Sequence, residues 1–148
     1  MRSRRAAREW ALRILYASRL SGNSAQACFE DILREAKEDQ NLILCRELVE
    51  RISSDDACLD EWIRKSVEKW DLGRLAVIDL IILRMAIAEF LYFDDIPYKV
   101  TINEAIELAK LYSTTQSGRF VNGILDAVSV ELKKTAGSAK SSAEVHPR

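Results

Sequence analysis

Residues 75–93 are the most apolar stretch of the chain, and the only charges within them, Asp79, Arg84 and Glu89, follow one another at intervals of five. Steps of five scatter side chains around a helix axis instead of gathering them into one polar face. A helix without a polar face has to be enclosed by other elements. Residues 74–93 are therefore predicted to form a central buried helix, and the rest of the chain must supply its neighbours. No uncharged run inside it exceeds four residues, which argues against a membrane span. A charge that faces inward must be paired, because an unpaired buried charge is strongly unfavourable. Asp79 and Arg84 are thus expected to find partners that the sequence does not name.

The neighbours read as helices. Only five Gly and two Pro occur in 148 residues, and strand signals are absent, so the fold class is all-α with about seven helices and no sheet. The first spans 3–20, with Ala7, Trp10, Ala11, Ile14, Ala17 and Ser18 on one side, and Gly22 caps its end. The second covers about 24–38, with Phe29, Ile32 and Leu33 as its seam. The third runs about 41–53 with Leu44, Leu48, Val49 and Ile52. Ser53-Ser54-Asp55-Asp56 is a capping cluster that would start a fourth, to about Trp70, with Leu59, Trp62, Ile63 and Val67 facing the core. Asp71-Leu72-Gly73 breaks the pattern before the central helix. Pro97 turns Ile96 away from helical geometry, and Thr101 with Glu104 three residues on has capping-box spacing for a sixth helix to about Tyr112. A polar loop, Ser113 to Gly118, leads into a seventh at about 119–133. Gly123 inside it weakens the helix by ~1 kcal/mol relative to Ala, which suggests close backbone approach by a neighbour. Residues 135–148 are small and polar and are predicted to be a disordered tail.

Several kinds of chemistry have no residues to perform them. The lone histidine, His146, falls in the tail. Cys28, Cys45 and Cys58 are far apart, so no zinc site has workable spacing. Their odd number and the missing secretion signal favour a reduced, cytoplasmic setting. No glycine-rich phosphate loop is present. Glu104 and Glu107 share a helix face but read better as a cap and as a solvated charge near Lys110. The reading is a protein without catalysis, metal or cofactor.

The positive signal is electrostatic. Net charge is −1, yet residues 1–20 hold Arg2, Arg4, Arg5, Arg8, Arg13 and Arg19 against Glu9, a net of +5, while residues 22–61 sum to −7. A basic arm beside an acidic body focuses a polyanion onto one place. Arginine suits that task, since its planar fork bonds phosphates bidentately and stacks on bases. The plainer reading is a solvated helix face with Glu9 pairing Arg5 or Arg13, and charge alone leaves both open. Tyr16 lies eleven residues from Arg5, only ~20° around the helix. It could stack a splayed base or cover the bundle edge. Phe120, beside Arg119 at a helix start, could be core or a second stacking platform.

Two segments are more specific. Residues 4–16, RRAAREWALRILY, resemble the amino-terminal pattern of NusB proteins, and residues 96–110, IPYKVTINEAIELAK, resemble that family's central signature almost residue for residue. FVNGILD at 120–126 and the ILRMA stretch at 82–86 fit as well, so the resemblance covers roughly 3–133, with 23–70 matching only in helical pattern. It implies two small helical bundles packed together in one domain over 1–134, about 3–70 and 72–134. It implies an antitermination factor that binds boxA-type RNA of ribosomal RNA leaders with the ribosomal protein NusE, and that joins RNA polymerase with other Nus factors. By position, Arg4, Arg5 and Arg8 correspond to an arginine-rich RNA contact. Gln116, Arg119 and Phe120 would lie beside the RNA, and Tyr16 and Asp79 would meet the protein partner. Some members carry an acidic residue where Gln116 stands here, and Trp10 is bulky for its place in the motif.

Two other readings remain. NusB-like folds also occur as amino-terminal domains of RNA cytosine methyltransferases, which the lack of a cofactor-binding segment disfavours. A homodimeric helical scaffold would hide the arginine face.

Overall fold

A computed structural model describes residues 1–67 and 75–136, and all regular structure among them is helical. Six helices follow in order: α1 (Arg4–Ser21), α2 (Ala25–Ile32), α3 (Gln40–Ser66), α4 (Val77–Tyr92), α5 (Tyr98–Tyr112) and α6 (Thr115–Ala136). The chain divides into two compact units, Met1–Asp56 and the part from Ala57 onward.

In the first unit, Ser3 caps α1 by accepting from the Ala6 N–H at 3.0 Å. Gly22 ends the helix in the left-handed region at φ 79°, donating to the Ser18 carbonyl as its position predicted. The buried face of α1 is Ala7, Arg8, Ala11, Leu12, Ile14 and Leu15, rotated from the expected seam. Placing Ala17 and Ser18 inward would have left Leu12 and Leu15 in water, and each buried leucine contributes roughly 1.5–3 kcal/mol. Trp10 is only half-buried, with the Arg13 guanidinium 4.9 Å from its ring centre.

Helix α1 packs against α2, which ends at Ile32, well before residue 38. Ala25 and Cys28 are its buried residues, while Ile32 is exposed. The chain leaves helical geometry early because Asp39 is used to start α3. Its Oδ1 accepts from the Leu42 N–H at 2.8 Å, and its Oδ2 takes the Met1 ammonium at 2.6 Å. Leu42, Leu44, Cys45, Leu48, Val49 and Ile52 form the buried side of α3 in this unit.

The expected third and fourth helices are both present: α3 consists of two helices that meet at a non-helical residue, Asp55 (φ −120°, ψ 22°), inside the 53–56 cluster. Ser53 and Ser54 do not cap forward; their hydroxyls donate back to the carbonyls of Val49 and Glu50. Serine can satisfy itself on the preceding turn, so these two hydroxyls close the first of the two helices.

In the second unit, Leu59 and Ile63 of α3 and Val67 just beyond its end are buried, but Trp62 is half-exposed instead of core. Helix α4 is buried from Asp79 to Phe90 apart from Arg84. Arg84 meets Asp60 through two hydrogen bonds, Nε to Oδ1 at 2.7 Å and Nη2 to Oδ2 at 2.8 Å. Helix α5 packs on α4 and α6, and α4 on α6.

Helix α5 begins three residues before the capping box predicted. Pro97, with φ −61° and ψ 147°, is its cap residue, and its carbonyl accepts from Val100 and Thr101. Thr101 is thereby inside the helix and 1% exposed. Its hydroxyl donates to Glu89 Oε1 at 2.9 Å. A buried carboxylate needs donors, and that need displaced the capping role. Helix α6 starts at Thr115 instead of 119 and keeps Thr135 and Ala136, which the sequence assigned to the tail. Trp70, the break at 71–73, the helix start at 74 and the tail from 137, with His146, lie outside the described residues. None of the helices described is long and apolar enough to cross a membrane.

Candidate RNA and partner interface

Arg4 and Arg5 are exposed at the first two positions of α1, directly after the Ser3 cap. Cations there oppose the positive end of the helix dipole, by about 0.3–1 kcal/mol each at an exposed site, and no acidic residue shares the first turn. The helix dipole therefore does not account for the choice of arginine here. What it creates is a surface where backbone N–H groups, dipole and guanidinium all favour an anion. Arg2, Arg13 and Arg19 are also exposed. Arg8 is not. It is 3% exposed, turned inward by the same rotation that buries Leu12 and Leu15, so of the three arginines singled out by the sequence only Arg4 and Arg5 are exposed. Tyr16 is half-buried on α1.

The other expected contacts stand on the second unit. Gln116 is exposed in the first turn of α6 and not in a loop, Arg119 is exposed one turn on, and Phe120 is half-buried beside it.

Asp79, in the first turn of α4, is 7% exposed. Its Oδ2 accepts from the Ser117 hydroxyl at 3.0 Å, while its buried Oδ1 accepts no hydrogen bond. Ser117 Oγ also lies 2.9 Å from Ser113 Oγ and 3.0 Å from Thr114 Oγ1, and Thr114 Oγ1 accepts from the Ser117 N–H at 3.1 Å. Three hydroxyls thus tie the end of α5 and the start of α6 to the start of α4. Sequence reasoning missed Ser117. The signal was Thr114-x-x-Ser117, a hydroxyl pair at capping distance within a stretch read only as polar loop.

A groove of about 1150 Å³ opens on the same unit between the end of α3 and α6. Trp62, Lys65, Arg119, Phe120, Gly123 and Val130 are among its lining residues. Lys65 Nζ stands 4.8 Å from the centre of the Trp62 ring. Gly123 does not serve close helix approach as expected, because a Cβ added there would meet nothing within 4 Å.

Acid–base and thiol chemistry lie elsewhere. Asp39 is held below the usual carboxylate range, first by its hydrogen bond from the Met1 ammonium and then by the Leu42 N–H. Burial pushes the Cys45 thiol up to about 12, which makes it inert. Cys28 is buried and Cys58 exposed, and all three are free thiols. No three His, Cys, Asp or Glu side chains converge among the described residues.

Comparison with known proteins gives a consistent result. The model of the NusB family matches residues 5–130. The transcription antitermination protein NusB of Natranaerobius thermophilus is 43% identical over 136 residues, 89% of this chain and 98% of that protein. The solved structure of T. maritima NusB superposes with a TM-score of 0.82 at 38% identity, covering 87% of this chain and 92% of the other. A crystal structure of the antitermination factors NusB and NusE in complex with dsRNA superposes at 0.79 with 26% identity, over 88% of this chain and 98% of the matched one. The name these relatives carry is that of a transcription factor and not of an enzyme. In sequence and in fold alike, the chain belongs to the NusB family.

Proposed function

We propose that this chain is a cytoplasmic antitermination factor that binds single-stranded boxA-type RNA of ribosomal RNA leaders together with the ribosomal protein NusE. In that role it joins RNA polymerase and the other Nus factors. The observation that carries the reading is the exposed Arg4–Arg5 pair at the start of α1, placed where cations disfavour the helix and favour a phosphate, in a chain whose relatives are named as antitermination proteins. Arg119 and Phe120 on α6 offer a cation and an aromatic ring side by side, the pairing that holds a phosphate and its base. Asp79 Oδ1, buried and without a donor, fits a hydrogen bond from the protein partner, and Tyr16 belongs to the same role.

The test is a titration of boxA-type RNA against the chain with and without NusE, over a range of salt. Replacing Arg4 and Arg5 with Ala should weaken binding and flatten the plot of log affinity against log salt by about 1.4, two single-strand phosphate contacts at ~0.7 each. Unchanged affinity and slope would remove the arginine pair from the interface.

A further inference from the structure

The groove beside α6 holds features that the packing of the second unit does not explain. Gly123 sits inside a helix where alanine would be better by ~1 kcal/mol, yet among the described residues nothing lies within 4 Å of where a side chain would begin. Trp62 is only half-buried along the opposite wall. Helix geometry puts Phe120, Gly123 and Ala127 on one face of α6, and all three line the groove. The missing side chain at 123 thus opens the wall between two aromatic residues.

We propose that this groove is a slot for a nucleobase of single-stranded RNA, with Trp62 as the stacking wall and Gly123 as the opening that admits the base. The inference rests on the reading of the chain as an RNA-binding protein and adds a recognition element to it. The placing of the cations beside the rings points to the occupant. Lys65 Nζ lies over the Trp62 ring, 4.8 Å from its centre, so a phosphate that draws Lys65 aside uncovers the indole face for its base. Arg119 supplies a second cation next to Phe120. Of the groove's two acids, Glu131 lies 3.5 Å from Lys134 and Asp126 is exposed to solvent. An apolar peptide would gain nothing from Arg119 or Lys65, whereas a nucleotide uses ring and cation together. The volume, about 1150 Å³, lies just above the roughly 300–1,000 Å³ of ligand clefts, which leaves space for the sugar as well as the base.

Gly123→Leu and Trp62→Ala are the variants to compare, with Arg4→Ala/Arg5→Ala as reference and boxA-type RNA as probe. Gly123→Leu fills the slot without touching a neighbour's core. It should melt no lower than the unaltered chain and bind RNA at least 5-fold more weakly. Trp62→Ala should lose about 5- to 100-fold, the loss of one stacked base, and Trp62→Phe should restore most of it. In a chain carrying Trp10→Phe and Trp70→Phe, Trp62 emission should be quenched by RNA, and Gly123→Leu should abolish the quenching. The slot is overturned if both variants bind RNA as the unaltered chain does while Arg4→Ala/Arg5→Ala binds less; the RNA-binding reading then survives without it. It is equally overturned if Gly123→Leu weakens NusE binding and leaves RNA affinity intact, which would make the groove a protein site. If the unaltered chain binds no RNA, alone or with NusE, both proposals fall.

Discussion

The Ser117 hydroxyl donates to Asp79 Oδ2 at 3.0 Å, so the start of α6 is fastened to the start of α4 by a side chain that is itself buried. Removing the hydroxyl in Ser117→Ala leaves a buried carboxylate short of a donor. A hydrogen bond to a charged group contributes roughly 1.5–3 kcal/mol, and a loss near 2 kcal/mol corresponds to melting about 4–8 °C lower for a chain of this size. Thermal unfolding followed by circular dichroism measures it. In an Asp79→Ala background the same substitution should have a smaller effect, because only the contacts with Ser113 and Thr114 remain to be lost.

Thr101 offers a test that separates its two roles. As an exposed helix cap it would tolerate aspartate, one of the best capping residues. Buried against Glu89, it cannot, since two carboxylates would face each other without water. Thr101→Asp should therefore prevent folding or lower stability by several kcal/mol. Thr101→Val, which matches the shape and lacks the donor, should lose about 1–3 kcal/mol. A stable, soluble Thr101→Asp chain would contradict the placement of α5.

Asp39 makes the acid limb of stability informative. Its carboxyl is depressed in the folded protein, so the folded state favours the ionised form. That contribution is complete above the unfolded value of 3.8 and is lost as pH falls through the lower folded value. Asp39→Ala should remove this part of the acid dependence and also weaken the start of α3, where its carboxylate caps the Leu42 N–H. Chemical unfolding at a series of pH values from neutral to 2 checks both.

The three thiols should separate by reactivity. Cys58 is exposed, while Cys28 and Cys45 are buried and Cys45 is raised to about 12. A thiol reagent at pH 8 should modify Cys58 alone in the folded protein and all three after denaturation. Rapid native labelling of Cys45 would show that the first unit opens readily.

Periodicity made much of the fold legible. The apolar run at 75–93 announced α4, Gly22 announced the end of α1, and Arg84 was expected to be paired, though its partner Asp60 was not named. The misreadings share a cause. Ser53, Ser54 and Thr101 are residues that can satisfy a helix end or a neighbour, and the sequence does not say which need is greater. At Thr101 the deciding residue was Glu89, twelve positions away. Within the candidate site, Arg4 and Arg5 were legible as surface cations. Trp62 was not, because α3 and α6 have to be in place before a tryptophan of a helical seam is seen to border a groove. Ser117 escaped for the same reason, since its importance comes from a carboxylate 38 positions away.

The inward turn of Arg8 changes how the arginine-rich helix can be interrogated. Its guanidinium has interactions inside the protein, so stripping it away would disturb the scaffold and the ligand surface in one stroke. A wholesale erasure of positive charge from α1 would then confuse a damaged frame with a lost grip.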